Sequence, residues 1–130
     1  MPTLFTKIVK GEIPCYKIAE DEEFFAFLDI NPLAKGHTLV IPKIEIDYIF
    51  DLEDDLFSRM NLFAKRIAKA IDKSVACKRV GIAVVGLEVP HAHIHLIPLN
   101  HLGDLNFANP KLKLSEEEFV SIATKISSNL

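Results

Sequence analysis

The sequence has no excess of positive charge. Its 15 lysines and arginines stand against 18 aspartates and glutamates, for a formal net charge of −3. A polynucleotide binder needs a basic patch to displace counterions, so that class is set aside. A mononucleotide needs only a few local donors and stays open. Cysteine is scarce: Cys15 and Cys77 are far apart and in no CxxC pattern. That argues against a disulfide framework and leaves two buried or half-buried thiols as the expectation. No window offers ~18 consecutive apolar residues, so no membrane span is expected. The opening "MPTLFTKIVKGEIP" has no apolar run long enough for a signal segment, and its charges come early. A cytoplasmic protein is the expectation. No repeat or low-complexity segment interrupts the chain. Its 130 residues, 49% hydrophobic and 25% charged, make one domain over 1–130. At that length roughly two thirds of the unfolded surface can be buried without a metal or disulfide staple.

What is present reads as an α+β domain. "LFTKIVKG" is a short N-terminal helix with Leu4, Phe5, Ile8 and Val9 turned inward and Gly11 closing it. "CYKIAE" and "FFAFLDI" form a hairpin across the acidic turn Glu20–Glu23. "NPLAKG" is a loop, and "HTLVIP" is a third strand that Pro42 stops. From Asp54 to about Ser74, Leu56, Met60, Phe63, Ile67, Ala70 and Ile71 follow the 3.6 period of a long helix. Acids crowd its start and bases its end, as the helix dipole favours. "VGIAVV" is a fourth strand, apolar enough to be central. "HAHIHLIP" is the fifth. An irregular stretch follows, and Ser115 with Glu118 forms a capping box for a last helix to about Ser127. Strands, helix, strands, helix predicts a mostly antiparallel five-stranded sheet covered by helices.

Three of the chain's five histidines stand at alternate positions in "VPHAHIHLIP". Alternation puts His91, His93 and His95 on one strand face, about 7 Å apart in sequence order, with Ala92, Ile94 and Leu96 facing the core. Each buried imidazole needs a hydrogen-bond partner, and histidine has no special strand propensity, so packing alone is a poor explanation. Two chemistries want such a row. A His-x-His pair with a third histidine can hold a catalytic zinc, with His37 as a possible fourth ligand. Alternatively, a neutral imidazole attacks phosphorus while its neighbours donate to the phosphoryl oxygens and the leaving group. Spacing alone leaves both open.

"HAHIHLIP" resembles the signature of the histidine triad (HIT) family. "FTKIVKGEIP" is similar to that family's N-terminal segment, and "AFLDINPLAKGHTLVIPK", from Ala26 to Lys43, to the stretch carrying its nucleotide pocket. The likeness runs in order through about the first hundred residues and looks like the Hint-like, bacterial-type branch. Residues 100–130 then form a C-terminal extension packed on the domain.

The resemblance implies hydrolysis or transfer of nucleoside monophosphate groups with no metal or other cofactor. His93 would be the nucleophile and form a covalent nucleotidyl-histidine. His95 would sit at the phosphate oxygens and leaving group. His91 would orient His93 through its carbonyl, and His37 would buttress the site. Asp29 would accept from the ribose hydroxyls, although Asp before Asn-Pro is also ordinary turn chemistry. Leu4, Phe5, Ile8, Phe27 and Ile30 would wall the base, with Glu88 and Val89 among the substrate-binding residues. A homodimer joining two sheets is implied, with a small nucleotide as the partner.

Three departures stand out. Thr3 and Thr6 occupy the positions of a CxxC that helps bind a structural zinc in many relatives, so that zinc is not expected. The loop before the triad is shortened to "VVGLEVPH", with Leu87 in place of a glutamine. Glu88 stands near a leaving-group serine of some members, and a carboxylate there disfavours polyphosphate tails and tolerates an amine. The last helix has no counterpart in the likeness.

Overall fold

Two apolar five-residue runs lie side by side at the centre of the molecule. The computed structural model describes residues 2–130, so of the domain read over 1–130 only Met1 lies outside it. Phe24–Leu28 (β2) and Thr38–Pro42 (β3) are buried at every position. Continuous burial is what an apolar strand covered on both faces requires, because successive side chains serve opposite faces. Lys17–Glu20 (β1) pairs with β2, and Ile94–Leu99 (β5) pairs with β3. Arg79–Ala83 (β4) pairs with β5 from outside. The order is β1-β2-β3-β5-β4, antiparallel throughout. The β1–β2 turn is closed by Asp21, whose carboxylate accepts from the N–H groups of Glu23 and Phe24 at 2.8 and 2.7 Å.

The sheet's two faces differ in how they are covered. On one, Asp54–Ser74 (α2) and Glu116–Ser128 (α3) bury Met60, Phe63, Ile67, Ile71 and Ile126 against Ala26, Leu28, Val40, Ile94 and Leu96. Helix α3 starts at the expected capping box: Ser115 Oγ accepts from Glu118 N–H at 3.1 Å, and Glu118 accepts back from Ser115 N–H at 3.2 Å. The Phe119 ring stacks on Tyr16 beside β1, centroids 4.7 Å apart. On the other face lies Leu4–Val9 (α1), whose Phe5 and Ile8 pack against Phe25, Phe27, Leu39 and Ile41. Six helical residues cannot cover a five-stranded sheet, and the space beside α1 becomes a cavity. This is the α+β architecture that the element order predicts. Cys15 and Cys77 are both half-buried and unpaired. Among the described residues, no helix is long and apolar enough to cross a membrane.

Three expectations need correction. The run "VGIAVV" is not central. Its β4 is the outermost strand next to β5, the ladder stops at Ala83, and Ile82, Val84 and Val85 stay about half exposed. The inner side of β5 is already taken by β3, so the apolar run is left without cover in this chain. Leu4 is not inward either: it is 47% exposed at the rim of the cavity. Finally, only His95 lies within the regular strand, since β5 begins at Ile94. The cause is Pro42. Lys43 N–H bonds toward β2, to Glu23 O, so the N–H of residue 42 would have faced β5, and proline has none to give. The ladder therefore ends at Val40–Ile94, and His91 and His93 sit in the segment leading into β5.

Candidate active site

Cross-strand register assembles the site's floor. Phe27 on β2 lies opposite Leu39 on β3, and Leu39 lies opposite His95 on β5, so the three share one row on the α1 face. Ala92, Ile94 and Leu96 belong to the opposite core, as alternation demands. The cavity above this row has a volume of about 490 Å³. That is within the range of pockets for small ligands. Its apolar side is formed by Leu4, Phe5, Ile8, Phe27 and Ile30, and its polar side by Asp29, His37, His93 and His95. Glu88 and Val89 also line it. The structure thus brings together all the residues singled out above except His91, which is fully buried and lies behind the wall.

Backbone groups fix the proton on each ring. His93 Nδ1 is 2.7 Å from His91 O, and a carbonyl only accepts, so Nδ1 carries the proton. In the neutral tautomer His93 Nε2 is then the nitrogen with the lone pair. His37 Nδ1 accepts from Leu33 N–H at 3.0 Å, so its proton is on Nε2. That Nε2–H donates to His95 Nδ1 at 3.0 Å, which in turn places a proton on His95 Nε2. One bare imidazole nitrogen and one N–H donor therefore stand on adjacent rings, with centroids 4.9 Å apart. Burial is the first cause that holds His37 and His95 neutral. It pushes His37 down to about 3, helped by His95, and His95 down to about 4, helped by His93.

Asp29 serves the local turn and the cavity together. Its Oδ1 accepts from Asn31 N–H at 2.8 Å, the turn chemistry expected before Asn-Pro, while Oδ2 lies 3.5 Å from His37 Nε2. Burial raises its pKa.

Asp29, His37 and His95 each offer a ligand atom within 4.8 Å of one another, the arrangement a metal would use. The donor set does not fit one. His37 Nε2, the atom facing the other two, carries the proton that Leu33 N–H forces upon it. A metal there would turn Nδ1–H against Leu33 N–H.

Among the wall residues that the sequence did not reveal, two bring their own chemistry. Phe107 lies in the stretch read as irregular, and its ring meets His95 edge-on at 4.8 Å and His37 at 6.4 Å. Lys111 brings a cation to the wall from the same stretch, its Nζ held by the carbonyls of Phe107 and Asn109. A lone aromatic within "GDLNFANPK" is the signal that marks this segment. His101, given no role, is exposed and bonds Asp104 at the turn Leu102–Asp104.

Comparison with known proteins places this geometry in a family. The sequence profile of the HIT domain matches residues 10–102. An adenosine 5'-monophosphoramidase of Schizosaccharomyces pombe is 36% identical over 132 residues, covering 100% of this chain and 99% of that protein. An uncharacterized HIT-like protein of Borreliella burgdorferi is 36% identical over 135 residues, covering 98% of this chain and 97% of its own. The crystal structure of a Hit-like protein from Bartonella henselae superposes with a TM-score of 0.85 at 28% identity, over 98% of this chain and 96% of that one. With its profile match over most of the chain and relatives similar over nearly their whole length, this protein belongs to the HIT family.

Proposed function

We propose that the protein is a nucleotide hydrolase or transferase that cleaves at the α-phosphate of nucleoside phosphoramidates without a metal. The observation that carries this is the bare Nε2 of His93 beside the Nε2–H of His95, both on the wall of a nucleotide-sized cavity. The phosphoramidase activity in the name of the Schizosaccharomyces pombe relative supports the same reading. The base lies among Leu4, Phe5, Ile8, Phe27 and Ile30, and Asp29 accepts from the ribose hydroxyls. His93 Nε2 attacks the α-phosphorus, the bond to the leaving nitrogen breaks, and His93 becomes nucleotidylated. His95 Nε2–H donates to a phosphoryl oxygen or the leaving nitrogen. Water then releases the monophosphate and restores His93. His91 holds the nucleophile's Nδ1–H through its carbonyl, and His37 holds His95. Glu88 at the wall disfavours a polyphosphate leaving group and tolerates an amine. The working unit is a homodimer joined along β4.

The test is turnover of adenosine phosphoramidate in excess chelator. Wild type turns over and forms a covalent adenylyl adduct, while His93→Ala forms none and loses roughly a thousandfold or more in rate. Diadenosine polyphosphate is the poorer substrate. Equal adduct formation by both proteins sinks the nucleophile assignment, and a clear preference for the polyphosphate sinks the leaving-group assignment.

A further inference from the structure

The N-terminal helix touches the reacting histidine in two ways. Phe5 lays its ring edge-on against both His91 and His93, with centroids 5.7 and 5.0 Å apart. The second contact comes from its cap. Thr3 Oγ1 accepts from Thr6 N–H at 3.1 Å and so caps α1, and it is also 2.7 Å from His91 Nδ1.

Proton accounting settles the direction of that second bond. His91 Nε2 is 2.7 Å from Pro42 O, which can only accept, so Nε2 carries the proton. The fully buried ring is neutral, since burial first and foremost lowers its pKa. Its Nδ1 is then a lone pair, and the Thr3 hydroxyl must be the donor. The Thr3 backbone is itself tied down, its N–H donating to Glu45 Oε1 at 2.7 Å.

The His91 ring is therefore clamped at both nitrogens, by the cap of α1 and by the carbonyl that ends β3. What this clamp holds is the His91–Ala92 peptide. On one side Ala92 N–H donates to Ile46 O at 2.7 Å, and on the other His91 C=O takes the Nδ1–H of His93 at 2.7 Å. A single peptide unit bonded at both ends polarises along its length, and its orientation sets that of the His93 ring. We infer that Thr3 is a positioning residue for the reaction: its hydroxyl, by donating to His91, fixes the peptide that presents His93 Nε2 to the cavity. The kinetic consequence rests on the nucleophilic reading of His93, but the structural one does not.

Three substitutions separate the donor from the helix cap. Thr3→Ser keeps both. Thr3→Gly keeps most of the cap's stability but has no side chain to bond His91. Thr3→Val loses both. The measurement is two-bond 1H–15N correlation of the histidine rings in the whole protein, beside kinetics with adenosine phosphoramidate and a thermal melt. Wild type and Thr3→Ser show His91 as the Nε2–H tautomer with a hydrogen-bonded Nδ1, and His93 as the Nδ1–H tautomer. In Thr3→Gly and Thr3→Val the His91 Nδ1 signal moves toward that of an unbonded imine nitrogen. In both, the His93 signals broaden or mix tautomers, and kcat falls roughly tenfold to a hundredfold with KM held within about twofold. Should His93 signals and kcat in Thr3→Gly stay at the Thr3→Ser level, Thr3 is only a cap and the inference is overturned. A change in KM alone overturns it as well. If the wild type turns over no phosphoramidate, the proposed activity fails, and the ring spectra still decide this one.

Discussion

His37 shows how much chemistry a single residue can be assigned from the backbone around it. One loop amide, Leu33 N–H, determines which nitrogen carries the proton. That choice makes His37 a donor to His95 and removes it as a metal ligand. No spacing rule in the sequence reveals this, because Leu33 and His37 meet only once Asn31–Gly36 has folded back. Gly36 permits that fold with φ +98°, and a Cβ there would come within 2.9 Å of Val75. Lys111 is the residue with the clearest consequence still to be measured. Among the described residues it is the one lysine or arginine on the cavity wall, and it faces a site proposed to hold a phosphate. Its ammonium is exposed, so its effect is modest and screened by salt. Lys111→Met is expected to weaken binding of a nucleoside monophosphate roughly threefold to tenfold at low ionic strength, and much less at high. Titration calorimetry at two salt concentrations reads this. An unchanged affinity at low salt would mean that the lysine does not reach the phosphate.

At the level of elements, the long helix, the capping box and the antiparallel order follow from local rules that the sequence obeys. The periodic stripe of α2 ends where the helix ends, at Ser74. Tertiary position was less legible. Nothing in "VGIAVV" tells a central strand from an edge strand whose apolar residues await another chain. Likewise, nothing in "HAHIHLIP" shows that Pro42, on a different strand, stops the ladder short of His93. The site residues Phe107 and Lys111 were hidden because they lie in a segment without periodicity, placed by the turn Leu102–Asp104 and by Asn109 Nδ2 donating to Gly103 O. The edge strand makes its own prediction. β4 leaves one row of backbone groups unpaired in this chain and carries Ile82 at 56% exposure, followed by Val84 at 43% and Val85 at 48%. Natural edges are normally protected by charge, proline or a covering element. A second copy pairing at this edge would supply the cover. Sedimentation equilibrium at micromolar protein is expected to give twice the chain mass, and Ile82→Glu to give the single-chain mass. A wild type that sediments as one chain removes the edge-pairing argument.

Across the whole molecule, the buried imidazoles tie stability to pH. His37 and His95 are held at about 3 and about 4, and His91 is also lowered, in each case first by burial. In an unfolded chain the same side chains titrate near 6.5. Between those limits the unfolded state binds more protons than the folded one, so stability rises with pH in that window and falls as acid is added. The full stability is present above about pH 6.5. Asp29 acts in the opposite sense, because burial raises its pKa. The folded state then holds a proton that the unfolded chain has released, which adds stability at low pH and is lost as pH rises through its folded value. One raised carboxyl cannot offset two or three lowered imidazoles over most of the window. Two imidazoles alone give a slope of roughly 2–3 kcal/mol per pH unit at its steepest. For a domain of this size that corresponds to a melting temperature falling by roughly 5–10 °C per unit between about pH 6 and pH 4.5. Between pH 7 and 8 the same groups contribute only a small residual slope, since most of the unfolded rings have then released their protons. His37→Gln should flatten the acid limb by removing one of the titrating rings, whatever it does to the melting temperature at neutral pH. Melts recorded at half-unit steps decide the matter. A melting temperature level from pH 7 to 4.5 would mean that these rings take up protons in the folded state, and the neutral His37–His95 pair, with its bond from Nε2–H to Nδ1, would lose its physical basis.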